Sequence, residues 1–180
     1  EFPGGRYSTK QDDFYWSGIA IKKLVHPESL NEHAVRMVRY PNPIIRLADL
    51  YLMYAEALNE ATDNGEFVPT EVYTNIDIVR ERSGLEGVID SWKKYSTNPN
   101  KPSTKEGMRE IIQAERLIEL SFEGHRYFDL CRWKRAGEFF VSSVKGWNAR
   151  SGRTYEDFYQ VTELQARTWE TPKNYLFPIP

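Results

Sequence analysis

Between Ile44 and Leu58 apolar side chains return every three or four positions. Ile44, Leu47, Ala48, Tyr51, Leu52, Ala55 and Leu58 make one stripe, while Arg46, Asp49, Glu56 and Glu60 fall on other faces, as an amphipathic core helix requires. Asn42 can cap it and Pro43 presets φ at its first turn, so the pattern predicts a helix from about Pro43 to Ala61. Thr62-Asp63-Asn64-Gly65 stops it. After Pro69-Thr70 a second helix of about 13 residues places Val72, Ile76 and Val79 on one side. It ends at Ser83-Gly84, with Leu85 placed for the contact that follows a glycine cap. Such a pair exposes an apolar face unless it stacks on a neighbour, the logic of helical repeats, but no second copy recurs at a period of about 34 residues.

Elsewhere the pattern is weaker. Residues 1–41 read as loop and short strands, one through Trp16, Ile19, Ile21 and Leu24-Val25 and another over Val35 to Tyr40, because Gly4-Gly5, Gly18, His26-Pro27 and Tyr40-Pro41 break the run. Residues 86–102, with Trp92, Tyr95 and Asn98-Pro99-Asn100-Lys101-Pro102, read as a polar surface loop. Ser103-Thr104-Lys105-Glu106 matches a capping box, and Met108, Ile111, Ile112, Leu117, Ile118 and Phe122 carry a third helix to Gly124. A fourth runs from near His125 to Gly137. Beyond Glu138 the expectation is a loop-rich tail with one short helix around Val161 to Arg167, closing on a stretch too rich in proline to be regular.

Charge and composition narrow the functional classes. The 180 residues carry 24 Lys+Arg against 26 Asp+Glu, a net charge of -2, with no long single-sign run. Such a balance offers no field for a phosphate backbone, so a nucleic-acid partner is not expected. No stretch approaches the roughly 20 apolar residues of a membrane-crossing helix. The single cysteine, Cys131, excludes an internal disulfide and a cysteine zinc cage, and packing is its default role. The compact phosphate, zinc and acyl-transfer motifs are absent, and neither a cofactor nor a catalytic residue is assigned.

The densest chemistry lies between Glu115 and Trp133. Glu115, Glu119 and Glu123 recur every four residues, so on one helix they share a face and repel unless cations answer them. Arg116, Arg126 and Arg132 are the candidate answers. With Gly124 bending the chain, Arg126 and Asp129 could fold back toward the glutamates and lock a helix corner. The alternatives are a glycosidase-like carboxylate pair drawn from Glu115, Glu119 and Glu123, which adjacent guanidiniums oppose by favouring the charged carboxylates, and a metal site of Glu119, Glu123 and His125, whose spacing is wrong for a helical-bundle centre. No metal is assigned. His26 and His33 read as solvated side chains.

Aromatic residues make up 14% of the chain, and several stand in polar surroundings. Tyr15, Trp16, Trp92, Tyr95, Trp147 and Tyr155 are the ligand-binding candidates, since a flat ring stacks on the C–H face of a sugar while neighbouring polar groups take its hydroxyls. The competing reading for each is a ring that pins a loop onto the core.

Three segments carry a likeness to a known family: Arg46-Leu-Ala-Asp-Leu-Tyr-Leu-Met-Tyr-Ala-Glu56-Ala-Leu-Asn-Glu60, Asn75-Ile-Asp-Ile-Val-Arg80-Glu-Arg82-Ser-Gly84-Leu85, and Glu115-Arg116 through Gly124-His125-Arg126-Tyr-Phe-Asp129 to Arg132-Trp133. In this order, and with the closing Tyr175-Leu-Phe-Pro-Ile-Pro180, the chain resembles the SusD/RagB family of outer-membrane nutrient-binding lipoproteins. The resemblance implies a mostly α protein with a tetratricopeptide-like helix pair at 43–84, a charged helical corner at 104–137 and a loop-rich tail at 138–180, the whole of residues 1–180 being a carboxy-terminal portion of a SusD-like domain. It further implies a non-enzymatic, lipid-anchored protein at the cell surface that captures an oligosaccharide or peptide and delivers it to a SusC-like TonB-dependent transporter, its only membrane attachment lying outside this chain. Two rivals remain: a helical-repeat interaction module without a small ligand, and the glycoside hydrolase above. Family motifs do not name the ligand-contacting residues.

Overall fold

Helix α1 (Leu47–Ala61) buries Leu52, Ala55 and Asn59 along one face, the three-and-four spacing read from the sequence. Its start differs from the expectation. The helix begins four residues after Pro43, and the extended residue that precedes it is Arg46 (φ -111°, ψ 146°). Ile44 is therefore outside the helix and 93% exposed, since an arginine anchored elsewhere by its side chain holds the backbone extended at that point. The computed structural model describes residues 17–19, 21–23, 25–31, 35–39, 41, 43–63, 65–149 and 151–176. The chain divides into two units, Tyr40–Arg126 and a second formed by Glu1–Arg39 with Tyr127–Pro180.

In the first unit α2 (Thr70–Arg82) turns Val72, Ile76 and Val79 inward. Its end is a glycine cap: Gly84 takes φ +73°, its N–H donates to the Glu81 carbonyl at 2.8 Å, and the Leu85 N–H donates to the Arg80 carbonyl at 3.1 Å, so two carbonyls orphaned by the helix end are satisfied. The next segment corrects the loop reading. Helix α3 (Val88–Tyr95) carries both Trp92 and Tyr95. What composition concealed is a tertiary cap: the Val88 N–H donates at 2.7 Å to the Asp77 carboxylate of α2, an anion at a helix N-terminus, and Val88 is fully buried. A Cβ on Gly87 would stand 2.8 Å from that carboxylate.

Helix α4 (Lys105–Glu119) follows a 3-10 turn at Lys101–Ser103. Thr104 caps it in place of the expected Ser103, its hydroxyl accepting from the Gly107 N–H at 3.1 Å. The helix stops at Glu119, short of Gly124, and a tight turn follows in which Phe122 (φ 63°) and Gly124 (φ 82°) are left-handed. Glu123 thus belongs to the turn. Leu52, Val72, Ile76, Val88, Met108 and Ile112 meet at a single core between α1, α2, α3 and α4, each fully buried side chain stabilising by about 1.5–3 kcal/mol.

The second unit is less regular. Strands β1 (Leu30–Asn31) and β2 (Val35–Arg36) form a minimal antiparallel pair. No strand spans the described residues from 17 to 25, and the second strand is far shorter than the 35–40 expected. Helix α5 (His125–Arg132) buries Asp129 and Leu130 and ends before Lys134, whose φ is 56°. After it come α6 (Ala136–Phe139), β3 (Val144–Trp147), α7 (Tyr155–Phe158) and β4 (Val161–Gln165). Strand β4 replaces the helix expected at Val161 to Arg167. Val161-Thr-Glu-Leu-Gln165 alternates half-buried Thr162 and Leu164 with exposed neighbours, a period of two, and it pairs antiparallel with β3. Among the described residues the protein is mostly helical, with seven α-helices and two two-stranded sheets.

Candidate functional site

The three glutamates are answered by guanidiniums, among them those of three upstream residues, Arg46, Arg80 and Arg82, which the sequence reading did not assign to this task. Arg46 donates Nε and Nη2 to the Glu123 carboxylate at 2.8 and 2.7 Å, Nη1 to Glu119 Oε1 at 2.7 Å, and Nη2 also to the Glu119 carbonyl at 3.0 Å. Those bonds push its already high pKa further up, the Glu123 bond first and burial opposing it. Arg82 adds Nη2 to both Glu119 oxygens at 2.8 and 2.7 Å. Arg80 pairs with Glu115. Arg116 bonds Asp49 Oδ1 at 2.9 Å in a buried pair.

Downstream, Arg132 bonds Asp129 at 3.0 Å within α5. Arg46, Arg80 and Arg82 come from the start of α1 and the last turn of α2, elements that pack against α4, so the lock joins three helices.

Open surface lies beside this network. A cleft of about 600 Å³ in the first unit is lined by Arg80, Gly84, Leu85, Glu86, Ser91, Trp92, Tyr95 and Ser96. Two of the six aromatic candidates, Trp92 and Tyr95, are thus brought together, three residues apart on one helix. Trp92 is half-buried against the core, with Lys101 Nζ 5.2 Å from its ring centroid, whereas Tyr95 is 72% exposed. At the cleft floor Arg80 donates Nε to the Glu86 carbonyl at 2.9 Å and Nη2 to Ser91 Oγ at 2.9 Å, fixing the wall that α3 presents. The Glu86 carboxylate stands at the rim, 2.7 Å from Lys94 Nζ. The site combines an aromatic shelf with a few fixed polar groups.

Trp147 and Tyr155 fall in the second unit, on regular elements rather than loops. The Trp147 ring meets Tyr159 edge-on at 5.3 Å, and Tyr159 meets Tyr155 at 4.6 Å. Trp147 also borders a hollow of about 190 Å³ with Asn148, Ser151, Thr162 and Glu163. Tyr15 and Trp16 lie outside the described residues, as do His33 and Phe177 to Pro180. Sequence reasoning did not single out Glu86, Ser91 or Ser96, which carry no pattern of their own. Arg46, Arg80 and Arg82 did have a signal, because each sits in one of the segments that carry the family likeness.

Comparison with known proteins agrees with that likeness. The model of the SusD family matches residues 1–180. Among curated relatives from Formosa agariphila, the chain is 40% identical to SusD-like protein P25 over 90 residues, covering 50% of this chain and 15% of that protein. It is 33% identical to SusD-like protein P2 over 96 residues, 53% of this chain and 17% of the relative, and 34% identical to SusD-like protein P38 over 95 residues with the same coverage. The matched segments therefore span less than a fifth of those relatives.

Proposed function

The chain belongs to the SusD family, and from that premise we propose that it takes part in non-catalytic capture of oligosaccharide, with Trp92 and Tyr95 as the stacking surface. The observation that supports this most is the open cleft lined by an exposed tyrosine and a half-buried tryptophan of α3 together with Ser91, Ser96 and Glu86. Rings offer the C–H face of a pyranose an apolar floor, and the polar groups accept and donate to its hydroxyls. Trp147 and Tyr155 are a second candidate surface. In the family setting the captured glycan passes to a SusC-like transporter from a protein lipid-anchored at the outer membrane.

Calorimetry against a glycan panel tests the reading. We expect binding that Tyr95→Ala abolishes while the unfolding transition stays in place, because Tyr95 is exposed. Absence of heat with every glycan removes the proposal.

One observation favours a protein-partner reading beside it. Leu47, Leu50 and Tyr54, at i, i+3 and i+7 of α1, leave an exposed apolar stripe opposite the core face. Co-purification with a transporter barrel, lost in Leu50→Glu, would favour that reading. The hydrolase alternative requires turnover that Glu119→Gln abolishes with the fold intact, whereas Glu119 is held by Arg46 and Arg82.

A further inference from the structure

Helix α3, which carries Trp92 and Tyr95, has little of its own to hold it. Eight residues are too few for a helix to persist alone in water. Val88 is the one residue it buries fully, and Ile89 is left 40% exposed. The residue that opens the helix is Gly87, which has no side chain with which to cap it.

Two side chains of α2 supply what is missing. Asp77 Oδ1 accepts from the Val88 N–H at 2.7 Å. Arg80, three residues on along the same face, donates Nε to the Glu86 carbonyl and Nη2 to Ser91 Oγ at 2.9 Å each. The Ser91 hydroxyl donates to that carbonyl in turn at 3.2 Å. Asp77 and Arg80 thus clamp the stretch from Glu86 to Ser91 that leads directly into Trp92. Asp77 itself is not part of the cleft lining.

Gly87 shows how closely this latch is fitted. Its backbone is ordinary, with φ -57° and ψ 158°, so alanine meets no conformational objection there. A Cβ would nevertheless have Asp77 Oδ2 at 2.8 Å, Cγ at 3.2 Å and Oδ1 at 3.4 Å as its three nearest neighbours. The carboxylate has to turn away to admit it, and in turning it gives up the Val88 N–H.

We infer that Asp77 is a positioning residue for ligand capture: without touching the ligand, it keeps α3 docked so that Tyr95 and Trp92 form a shelf before any sugar arrives. The inference rests on the glycan reading above and adds the residue that holds its surface in place. A ligand that needs both rings binds the docked state alone, so its apparent affinity scales with the fraction of molecules in which α3 is docked. A wall already in place also spares the ordering cost of binding. Asp77→Ala removes the cap and lowers the docked fraction. Asp77→Asn keeps an oxygen that accepts the same N–H, and asparagine caps about as well as aspartate.

The test is calorimetry with cello-, malto-, xylo- and laminari-oligosaccharides on the wild-type protein, Asp77→Ala, Asp77→Asn, Gly87→Ala and the double variant Asp77→Ala with Gly87→Ala. Asp77→Ala should weaken the tightest-binding sugar about fivefold. It should also speed hydrogen exchange at the Ser91 amide, which bonds the Gly87 carbonyl at 2.9 Å, leave exchange in the middle of α1 unchanged, and regain protection in saturating sugar. Asp77→Asn should recover most of the lost affinity. Gly87→Ala should weaken binding about as much as Asp77→Ala and add nothing in the double variant, because the atoms its Cβ meets are then gone. Sugar affinity in Asp77→Ala within about twofold of wild type overturns the positioning role and keeps the glycan reading. So does an Asp77→Asn protein as weak as Asp77→Ala, or additive losses in the double variant. Binding of no sugar by the wild type, or binding that ignores Tyr95→Ala, overturns the cleft reading and this inference with it.

Discussion

Arg46 and Glu123, 77 positions apart, meet in a two-pronged pair at 2.7 and 2.8 Å, and the same guanidinium holds Glu119 at 2.7 Å. The pair joins the residue that opens α1 to the turn that closes α4, which is why α1 starts at Leu47 and not at Pro43. Replacing Arg46 leaves Glu123 without this bidentate partner while Glu119 keeps Arg82. Both side chains of the pair are about four-fifths buried or more, so screening is incomplete. Arg46→Ala should lower stability by about 2 kcal/mol, and a double-mutant cycle with Glu123→Gln in urea should give a coupling of about 1 kcal/mol or more. Additive effects would show that the pair is formed without contributing.

Asp49 and Arg116 form a deeply buried ion pair, with 9% and 3% of their side chains exposed. A buried charge deprived of its partner is far less tolerable than the pair is favourable. Asp49→Ala should therefore destabilise by about 3–5 kcal/mol, more than Arg46→Ala, and the double replacement Asp49→Leu with Arg116→Met should recover much of that loss. Chemical denaturation midpoints decide the order, and a smaller loss for Asp49→Ala than for Arg46→Ala would contradict the burial argument.

Much of this architecture could be read before any coordinates. The buried faces of α1 and α2 followed from spacing alone, because Leu52, Ala55, Val72 and Ile76 obey a period of 3.6 that only a helix satisfies. Helix α3 was not legible: its start is satisfied by Asp77, eleven positions away on another helix, and no local pattern encodes a cap supplied from a neighbouring helix. Strand β4 was missed for a related reason, since five alternating residues acquire a strand's identity only from their partner β3. For the charged corner, sequence supplied the acids and the need for cations. It could not say that Arg46, Arg80 and Arg82 would answer them, because packing of α1 and α2 on α4, and not nearness along the chain, delivers these three. The aromatic cleft was half-visible, as two rings without the helix that aligns them.

Acid sensitivity should appear at Glu60. Arg109 donates Nε and Nη2 to its two oxygens at 2.6 Å each, and that bond, outweighing burial, holds the Glu60 carboxyl below its ordinary value of 4.5. A carboxylate whose folded pKa is depressed contributes stability above the unfolded value and loses it as pH falls through the folded one. The Glu60 contribution is thus intact at neutral pH and fades below about pH 4.5. With 41% of the Glu60 side chain exposed, solvent screening limits it to about 0.5 kcal/mol at low salt. Glu60→Gln should remove that part of the acid-induced loss, measured as the difference in urea midpoint between neutral and acidic buffer, and an unchanged pH slope would contradict it.

Gly107 sets two rules against each other. It sits within the first turn of α4, where replacing glycine by alanine ordinarily gains about 1 kcal/mol of helix propensity. Here a Cβ would lie 2.0 Å from the Lys101 carbonyl oxygen and 2.7 Å from Thr104 Oγ1. The first atom is backbone of the 3-10 turn and cannot swing aside, and the second is the capping oxygen that accepts the Gly107 N–H. Relief of the clash must displace the turn, the cap, or both, and loss of the cap alone is worth about 1 kcal/mol. Gly107→Ala should therefore destabilise by about 2 kcal/mol or more, against its propensity, and Thr104→Ala should be less harmful than Gly107→Ala. A Gly107→Ala protein that melts above the wild type would show that α4 is free to shift away from Lys101, and that the turn does not fix its start.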